Sequence, residues 1–152
     1  FNSLIAFNDI QSGTGMGAEA TRSADTGAAT GTTMNFSTTL SGANEVPPAD
    51  PDGTGIAAVT VDMPNSQICY TLSVQNIALP AVAAHIHRGA AGEKGGVVVP
   101  FDLAPDANGN ATSCVKVDSA LLNEIATNPA GFYVNVHSSE FPDGAVRGQV
   151  SG

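Results

Sequence analysis

The sequence has few charged residues, few basic residues, no tryptophan and no long apolar segment. Only 12% of its 152 residues are charged, and 14 acidic against 5 basic residues give a formal net charge of −9. Binding to phosphate backbones or to an anionic membrane needs clustered lysine and arginine. We therefore expect neither nucleic acid nor an anionic membrane as a partner. No apolar run approaches the roughly 20 residues of a membrane-spanning helix, so we expect no membrane span.

Cysteine is also scarce, since the chain contains only Cys69 and Cys114. Neither belongs to a CxxC pair, and the alternation around each places the cysteine opposite the apolar side of its strand. Two outward-facing cysteines in an acidic, sparsely charged chain favour a disulfide and an oxidising compartment. Two free thiols are the alternative. A chain that begins at Phe1 fits removal of a secretory signal peptide, or an arbitrary boundary. We expect an extracellular protein, secreted or on the cell surface.

The sequence divides near Asn35 into an N-terminal arm and a body. Residues 1–35 begin with a strand-like apolar segment and continue as a Gly/Ala/Thr-rich stretch without periodicity, which predicts an extended arm. The apolar residues of the first segment are Phe1, Leu4, Ile5, Phe7 and Ile10. No globular body surrounds them in the sequence, so this segment needs a surface to pack on.

Residues 36–152 alternate between short β-like segments and turns rich in Gly, Pro, Asn and Asp, which is typical of antiparallel strands. Eight strands are predicted, at residues 36–42, 55–63, 67–74, 81–87, 96–101, 111–117, 131–137 and 145–150. One helix is predicted between Asp118 or Ser119, as its N-cap, and Pro129. This pattern predicts an all-β fold, an antiparallel Greek-key β-sandwich with one short helix and an N-terminal extended arm.

Three motifs resemble the chordin-type domain, CHRD, in that family's order. They are "FSTTLSGANEVPP", "AHIHRGAAGEKGGVVVPF" and "GFYVNVHSSEFPDGAVRGQV", and the resemblance covers about residues 36–152. It implies an immunoglobulin-like or superoxide-dismutase-like sandwich in a secreted or surface-attached protein. It implies no defined biochemical activity.

The three histidines of the chain, His85, His87 and His137, are candidate metal ligands. Side-chain alternation places His85 and His87 on one side of their strand, and His137 on the side opposite the apolar residues of its own strand. If those strands lie together, three imidazoles converge, a ligand set that suits copper or zinc. The alternative is structural, with the imidazoles hydrogen-bonded to turn backbone and to polar side chains such as Glu45 and Asn135.

Catalysis is not expected. A dismutase copper site normally needs a fourth histidine and a neighbouring zinc site, which three histidines cannot supply, so a dismutase-like redox enzyme is the weakest hypothesis. The sequence also contains no GxSxG, no phosphate-binding P-loop and no HExxH motif. We therefore expect a protein that is not an enzyme.

Other polar residues have simpler predicted roles. Glu45 and Arg147 are predicted to form a structural charge pair, with a metal contact as the alternative for Glu45. Asn35 and Asn110 fit the NxS/T pattern of glycosylation acceptors. Oxygen ligands for calcium occur in two acidic turns without EF-hand spacing, so solvated loops are the favoured interpretation. These ligands are Asp50, Asp52, Asp102, Asp106 and Asn108.

The leading functional hypothesis is an extracellular structural subunit. The apolar segment at the N-terminus would add as a strand to a neighbouring subunit, and such head-to-tail contacts generate homo-oligomers, filaments or surface layers. The alternative for the arm is that it folds back on its own domain. The second functional hypothesis is a secreted copper- or zinc-binding module.

Overall fold

The computed structural model describes residues 32–151, and one compact unit begins at Thr33. The first strand therefore begins three residues before the predicted start of the body. The predicted assembly strand, with Phe1, Leu4, Ile5, Phe7 and Ile10, lies outside the described residues. Within residues 32–151, no helix is long and apolar enough to cross a membrane.

Eight strands and one α-helix form this unit. The strands, labelled in chain order, are β1 Thr33–Ser41, β2 Thr54–Asp62, β3 Gln67–Gln75, β4 Ala83–Arg88, β5 Val97–Pro100, β6 Asn110–Lys116, β7 Phe132–His137 and β8 Val146–Gln149. Helix α1 spans Ser119–Thr127, and 3₁₀ turns occupy Gly42–Asn44 and Pro129–Gly131.

All eight strands belong to one antiparallel sheet in the order β5-β4-β7-β8-β1-β2-β3-β6. The order consists of two four-stranded halves, and the junction between them is narrow. Strand β1 meets β8 through the single register pair Ser41 and Arg147, extended by a bridge from Ser37 to Ser151. Ladders of three to nine register pairs hold each half together, whereas this junction lets the sheet curl.

One hydrophobic core lies against the inner faces of both halves. Along β2 and β3 every second residue is buried, as expected for strands with one solvated face. From the other half, β4 and β7 add Ile86, Val134 and Val136 to the same cluster. Helix α1 packs Leu122 and Ile125 against it. The core therefore fixes the position of β4 and β7, which carry the histidines.

The all-β prediction is confirmed, and each predicted strand overlaps one observed strand. The predicted helix is also present, and the Asp118 carboxylate accepts a hydrogen bond from the backbone N–H of Ala120 as the N-cap. The predicted disulfide is confirmed: Cys69 on β3 lies directly opposite Cys114 on β6, and the two are bonded. The strands follow one continuous hydrogen-bonded order, so two separately bonded sheets are not what the described residues form.

Candidate metal centre

A row of polar side chains crosses the outer face of β4, β7 and β8. The register pairs His87 with Tyr133, and Asn135 lies opposite both His85 on β4 and Arg147 on β8. Because side chains alternate, these residues share the face opposite Ile86 and Val134. The core side of the same strands is apolar, so the three strands separate a hydrophobic face from a polar one.

The polar face is covered by chain rather than by solvent. In β7 every residue except His137 is buried, although a strand with one solvated face would alternate. Three connecting segments provide the cover, namely residues 42–50, 89–96 and 138–145. Carbonyl groups of two of these segments accept hydrogen bonds from His87, His137 and Arg147. The buried polar residues of the region therefore lie in a closed environment.

The three histidines converge on this face. One potential ligand atom from each of His85, His87 and His137 lies within 4.8 Å of the others. His85 Nδ1 lies 3.1 Å from His137 Nε2, a hydrogen-bond distance. Among residues 32–151, this is the only group of three or more His, Cys, Asp or Glu side chains with the spacing of a metal site.

Backbone carbonyls set the tautomers of two of these imidazoles. His137 Nδ1 lies 2.8 Å from the carbonyl oxygen of Pro142, and His87 Nδ1 lies 3.0 Å from that of Gly95. A carbonyl oxygen only accepts, so in each neutral ring Nδ1 carries the hydrogen and Nε2 keeps a lone pair. His87 Nε2 is buried and has no hydrogen-bond partner. Metal-binding histidines are held in this way, by a hydrogen bond from the second ring nitrogen.

Burial keeps two of the imidazoles neutral. Desolvation, followed by the nearby His137 and His87, lowers the pKa of His85 to about 4. Desolvation also lowers the pKa of His87 below its ordinary value of 6.5, and the hydrogen bond to Gly95 opposes this only in part. Neutral imidazole is the form that binds a metal ion. Both side chains are therefore ready to act as ligands at neutral pH.

Tyr133 and Arg147 fix the orientation of His87. The rings of His87 and Tyr133 are stacked, and the Arg147 guanidinium carbon lies 3.4 Å from the Tyr133 ring centroid. The Tyr133 hydroxyl accepts a hydrogen bond from the Gly95 N–H at 3.1 Å. Arg147 donates to the Ala90 carbonyl at 2.9 Å, so both side chains also hold segment 89–96 over the site.

Glu45 approaches this cluster from segment 42–50, but it does not form the predicted ion pair. Only Arg88 and Glu124 form a salt bridge between side chains of residues 32–151. Burial raises the pKa of Glu45 from 4.5 to about 7, opposed first by the charge of Arg147 and then by Asn135 and Lys94. Arg147 thus acts on Glu45 through its field, while its own hydrogen bonds go elsewhere.

The remaining predicted residues lie away from the histidines or serve local structure. Asn35 and Asn110 are exposed, on β1 and at the start of β6. Asp102 accepts hydrogen bonds from Tyr70 and Ser113, and Asp106 accepts from two backbone N–H groups of its own turn. Asp50 is buried beside Asp52, and desolvation raises the pKa of Asp50. Asp102 and Asp106 are exposed, as expected for solvated loops, whereas Asp50 is buried rather than solvated.

Several supporting groups of the site were not predicted from the sequence. They include the ring of Tyr133, the amide of Gln149, which donates to the Gly89 carbonyl, and the carbonyls of Gly95 and Pro142. The alternating polar residues of "YVNVH" and "RGQ" were a signal for the side chains. The carbonyls have no such signal, because every residue has one.

Comparison with known proteins identifies the family of this chain. The sequence profile of the CHRD domain matches residues 36–150, which include all three histidines, Glu45 and Arg147. No curated protein and no solved structure matches the chain. The family predicted from the three motifs is confirmed, and the chain belongs to the CHRD domain family.

Proposed function

We propose that this protein binds one copper or zinc ion through His85, His87 and His137. The observation that carries the proposal is the convergence of their ligand atoms within 4.8 Å, with His87 Nε2 buried and unpartnered. A buried polar atom without a partner costs about 1–3 kcal/mol. Coordination of a cation removes that cost, whereas a purely structural role for His87 leaves it in place.

The spacing of the nitrogens is close to that of a bound ion. With metal–nitrogen bonds of about 2.0–2.1 Å, two ligands of a tetrahedral ion lie about 3.4 Å apart. Closing the farthest pair from 4.8 Å needs a shift of about 1.4 Å. Side-chain rotation can supply this, because His85 and His137 are only partly buried. The ion would take the place of the hydrogen now shared by His85 Nδ1 and His137 Nε2.

Metal binding can be tested on the purified full chain. We expect one Cu(II) or Zn(II) per chain by isothermal titration after treatment with a chelator, with copper bound more tightly than zinc. His87→Ala should weaken binding by about 100-fold or more, because it removes one of three ligands. Glu140→Gln, which neutralises an exposed carboxylate near the site, is the control and should bind as the wild type does. The proposal would be refuted if the wild type bound no metal, or if His87→Ala bound it with the same affinity.

We also propose that the protein is an extracellular, non-enzymatic subunit that assembles through its N-terminal strand. The order of the sheet ends at β5 and β6, and within residues 32–151 no further strand pairs with either edge. An open edge is what a donated strand requires. The disulfide between β3 and β6 supports the compartment, because such bonds persist in oxidising surroundings.

Deletion of residues 1–12 tests the assembly. We expect the intact chain to form polymers visible by electron microscopy and the truncated chain to sediment as a monomer. A deletion of equal length within the arm, residues 17–28, is the matched control and should leave assembly in place. Assembly of the truncated chain to the same extent as the intact chain would contradict strand donation.

We propose that the two halves of the sheet lie over each other as in an immunoglobulin-like or superoxide-dismutase-like Greek-key sandwich. Support comes from the single core to which both halves contribute.

Glycosylation at Asn35 and Asn110 is likewise proposed, supported by the exposure of both side chains.

A further inference from the structure

Three buried lone-pair atoms around the histidines have no hydrogen-bond partner. They are Glu45 Oε2, His87 Nε2 and Asn135 Oδ1. Glu45 is 8% exposed and Asn135 is 2% exposed, so solvent does not satisfy their oxygens. A carboxylate oxygen and an amide oxygen both accept hydrogen bonds. A cation, a hydrogen-bond donor or both would satisfy such a group of acceptors.

Asn135 links the carboxylate to the imidazoles. It is the register partner of His85, and its side chain also interacts with Glu45 and with His87. Asn135 therefore lies within interaction distance of both the Glu45 carboxylate and two of the imidazoles. His85, His87 and His137 supply three ligands, which leaves one position of a tetrahedral ion open.

Glu45 is held beside this space by backbone packing. A Cβ atom on Gly144 would lie 2.5 Å from Glu45 Oε2, so an added side chain would displace the carboxylate. The backbone of Gly144 also has a φ of 130°, which side-chain-bearing residues rarely adopt. The carboxylate is thus kept in place without an ion pair.

A cleft connects Glu45 to solvent. Its volume is about 200 Å³, and its lining includes Glu45, Lys94, Pro142 and Gly144. Pro142 is the residue whose carbonyl accepts from His137 Nδ1. The cleft thus ends at Glu45 and at the residue that holds His137, and it is large enough for molecules of a few atoms.

We propose that the ion bound by the three histidines has an open fourth position facing Glu45 and Asn135, occupied by an exchangeable water molecule. The water donates its two hydrogens to Glu45 Oε2 and Asn135 Oδ1, which satisfies both orphaned acceptors. Small molecules that enter through the cleft replace it, and the buried carboxylate disfavours anions at that position. This inference rests on the proposed metal binding and names the kind of ligand that the centre takes.

The test uses the full chain loaded with Cu(II). Electron–nuclear double resonance in H₂O and in D₂O should detect copper-coupled protons that exchange with solvent. Titration with azide, followed by its charge-transfer absorption, should show weak binding to the wild type. At a pH above about 8, where Glu45 with its pKa of about 7 is ionised, Glu45→Gln should tighten azide binding by about tenfold or more, because a nearby negative charge is removed. Glu140→Gln, at the exposed mouth of the cleft, should change it by less than about twofold.

The outcomes separate this inference from the proposal on which it rests. Copper bound by three nitrogens without exchangeable protons overturns the inference alone, as does equal azide affinity in the wild type and Glu45→Gln. If the copper spectrum of Glu45→Gln shows one oxygen ligand fewer than that of the wild type, Glu45 itself is the fourth ligand. That result also overturns the inference. If the wild type binds no copper, the proposed metal centre fails and this inference fails with it.

Discussion

Tyr133 and His87 lie face to face, with ring centroids 4.8 Å apart and planes 6° from parallel. They are register partners on β7 and β4, so the sheet itself brings the rings together. Arg147 contacts the Tyr133 ring from β8, and Gly95 holds the Nδ1 of His87. The imidazole is therefore oriented by three neighbours before any ligand binds, which lowers the entropic cost of coordination.

Changing Tyr133 should separate its two roles. Tyr133→Phe keeps the stacked ring and removes the hydroxyl that bonds Gly95, so we expect a loss of about 1 kcal/mol in the free energy of unfolding. Its copper affinity should stay near that of the wild type. Tyr133→Leu removes the stack and should weaken copper binding by about tenfold, in the range seen for outer-sphere groups. Urea denaturation and competition titration measure the two quantities, and unchanged copper affinity in Tyr133→Leu would refute the orienting role.

Gly144 should tolerate alanine poorly, and Glu45 should account for part of the cost. The added methyl group would meet the Glu45 carboxylate and would sit on a backbone with positive φ. We expect Gly144→Ala to lower the free energy of unfolding by about 2–3 kcal/mol. In a Glu45→Ala background the same change should lower the free energy of unfolding by less, because the clash is gone and only the backbone strain remains. Equal costs in the two backgrounds would show that the carboxylate does not contact this backbone.

The stability of the metal-free protein should depend on pH through Glu45. Burial raises the pKa of Glu45 to about 7 in the folded state from the ordinary 4.5, so between these values the folded state holds a proton that the unfolded state releases. Each rise in pH through that window therefore favours unfolding, by up to about 3 kcal/mol in total.

Comparison with Glu45→Gln isolates this effect. The lowered pKa values of His85 and His87 act in the opposite direction, since the unfolded state binds their protons first as pH falls, but they are common to both proteins. The stability of Glu45→Gln relative to the wild type should rise from pH 4.5 to above 7 and then level off. Glu140→Gln, which changes an exposed carboxylate, should show no such rise. A relative stability of Glu45→Gln that stays constant across the window would contradict the burial of an ionisable Glu45.

Strand alternation explains why so much of the site was predictable from the sequence. It placed His85 and His87 on one face, placed His137 on the face of Tyr133 and Asn135, and turned both cysteines away from the core. The convergence of the histidines still depended on which strands are neighbours, and that order is set by long-range pairing rather than by local pattern. The pairing of β4 with β7 is what brings the histidines together.

Two other features could not be read from the sequence for physical reasons. Opposite charges on Glu45 and Arg147 predicted an ion pair, but Arg147 finds an aromatic ring and a carbonyl instead, and Glu45 is buried beneath Gly144. Alternation also predicts a solvated outer face for β7, whereas connecting segments cover it. Loop positions follow from tertiary packing, so the closed character of the site emerges only in three dimensions.

The disulfide between Cys69 and Cys114 should stabilise the fold substantially. Its two residues are 45 apart in the sequence, and the loop that it closes contains β4 and β5, including His85 and His87. Restricting the unfolded chain over that separation contributes about 4 kcal/mol in the chain-entropy model. Within residues 32–151, β6 pairs with β3 alone, so the bond also secures the edge of the sheet.

The double variant Cys69→Ala/Cys114→Ala should therefore have a free energy of unfolding in urea that is lower by about 2–4 kcal/mol. Reductant should lower the free energy of unfolding of the wild type by a similar amount and leave that of the variant unchanged. The variant is the control, because any effect of the reductant other than reduction of this disulfide would appear in it. A wild type that unfolds at the same urea concentration with and without reductant, once its two thiols are shown to be free, would contradict this prediction.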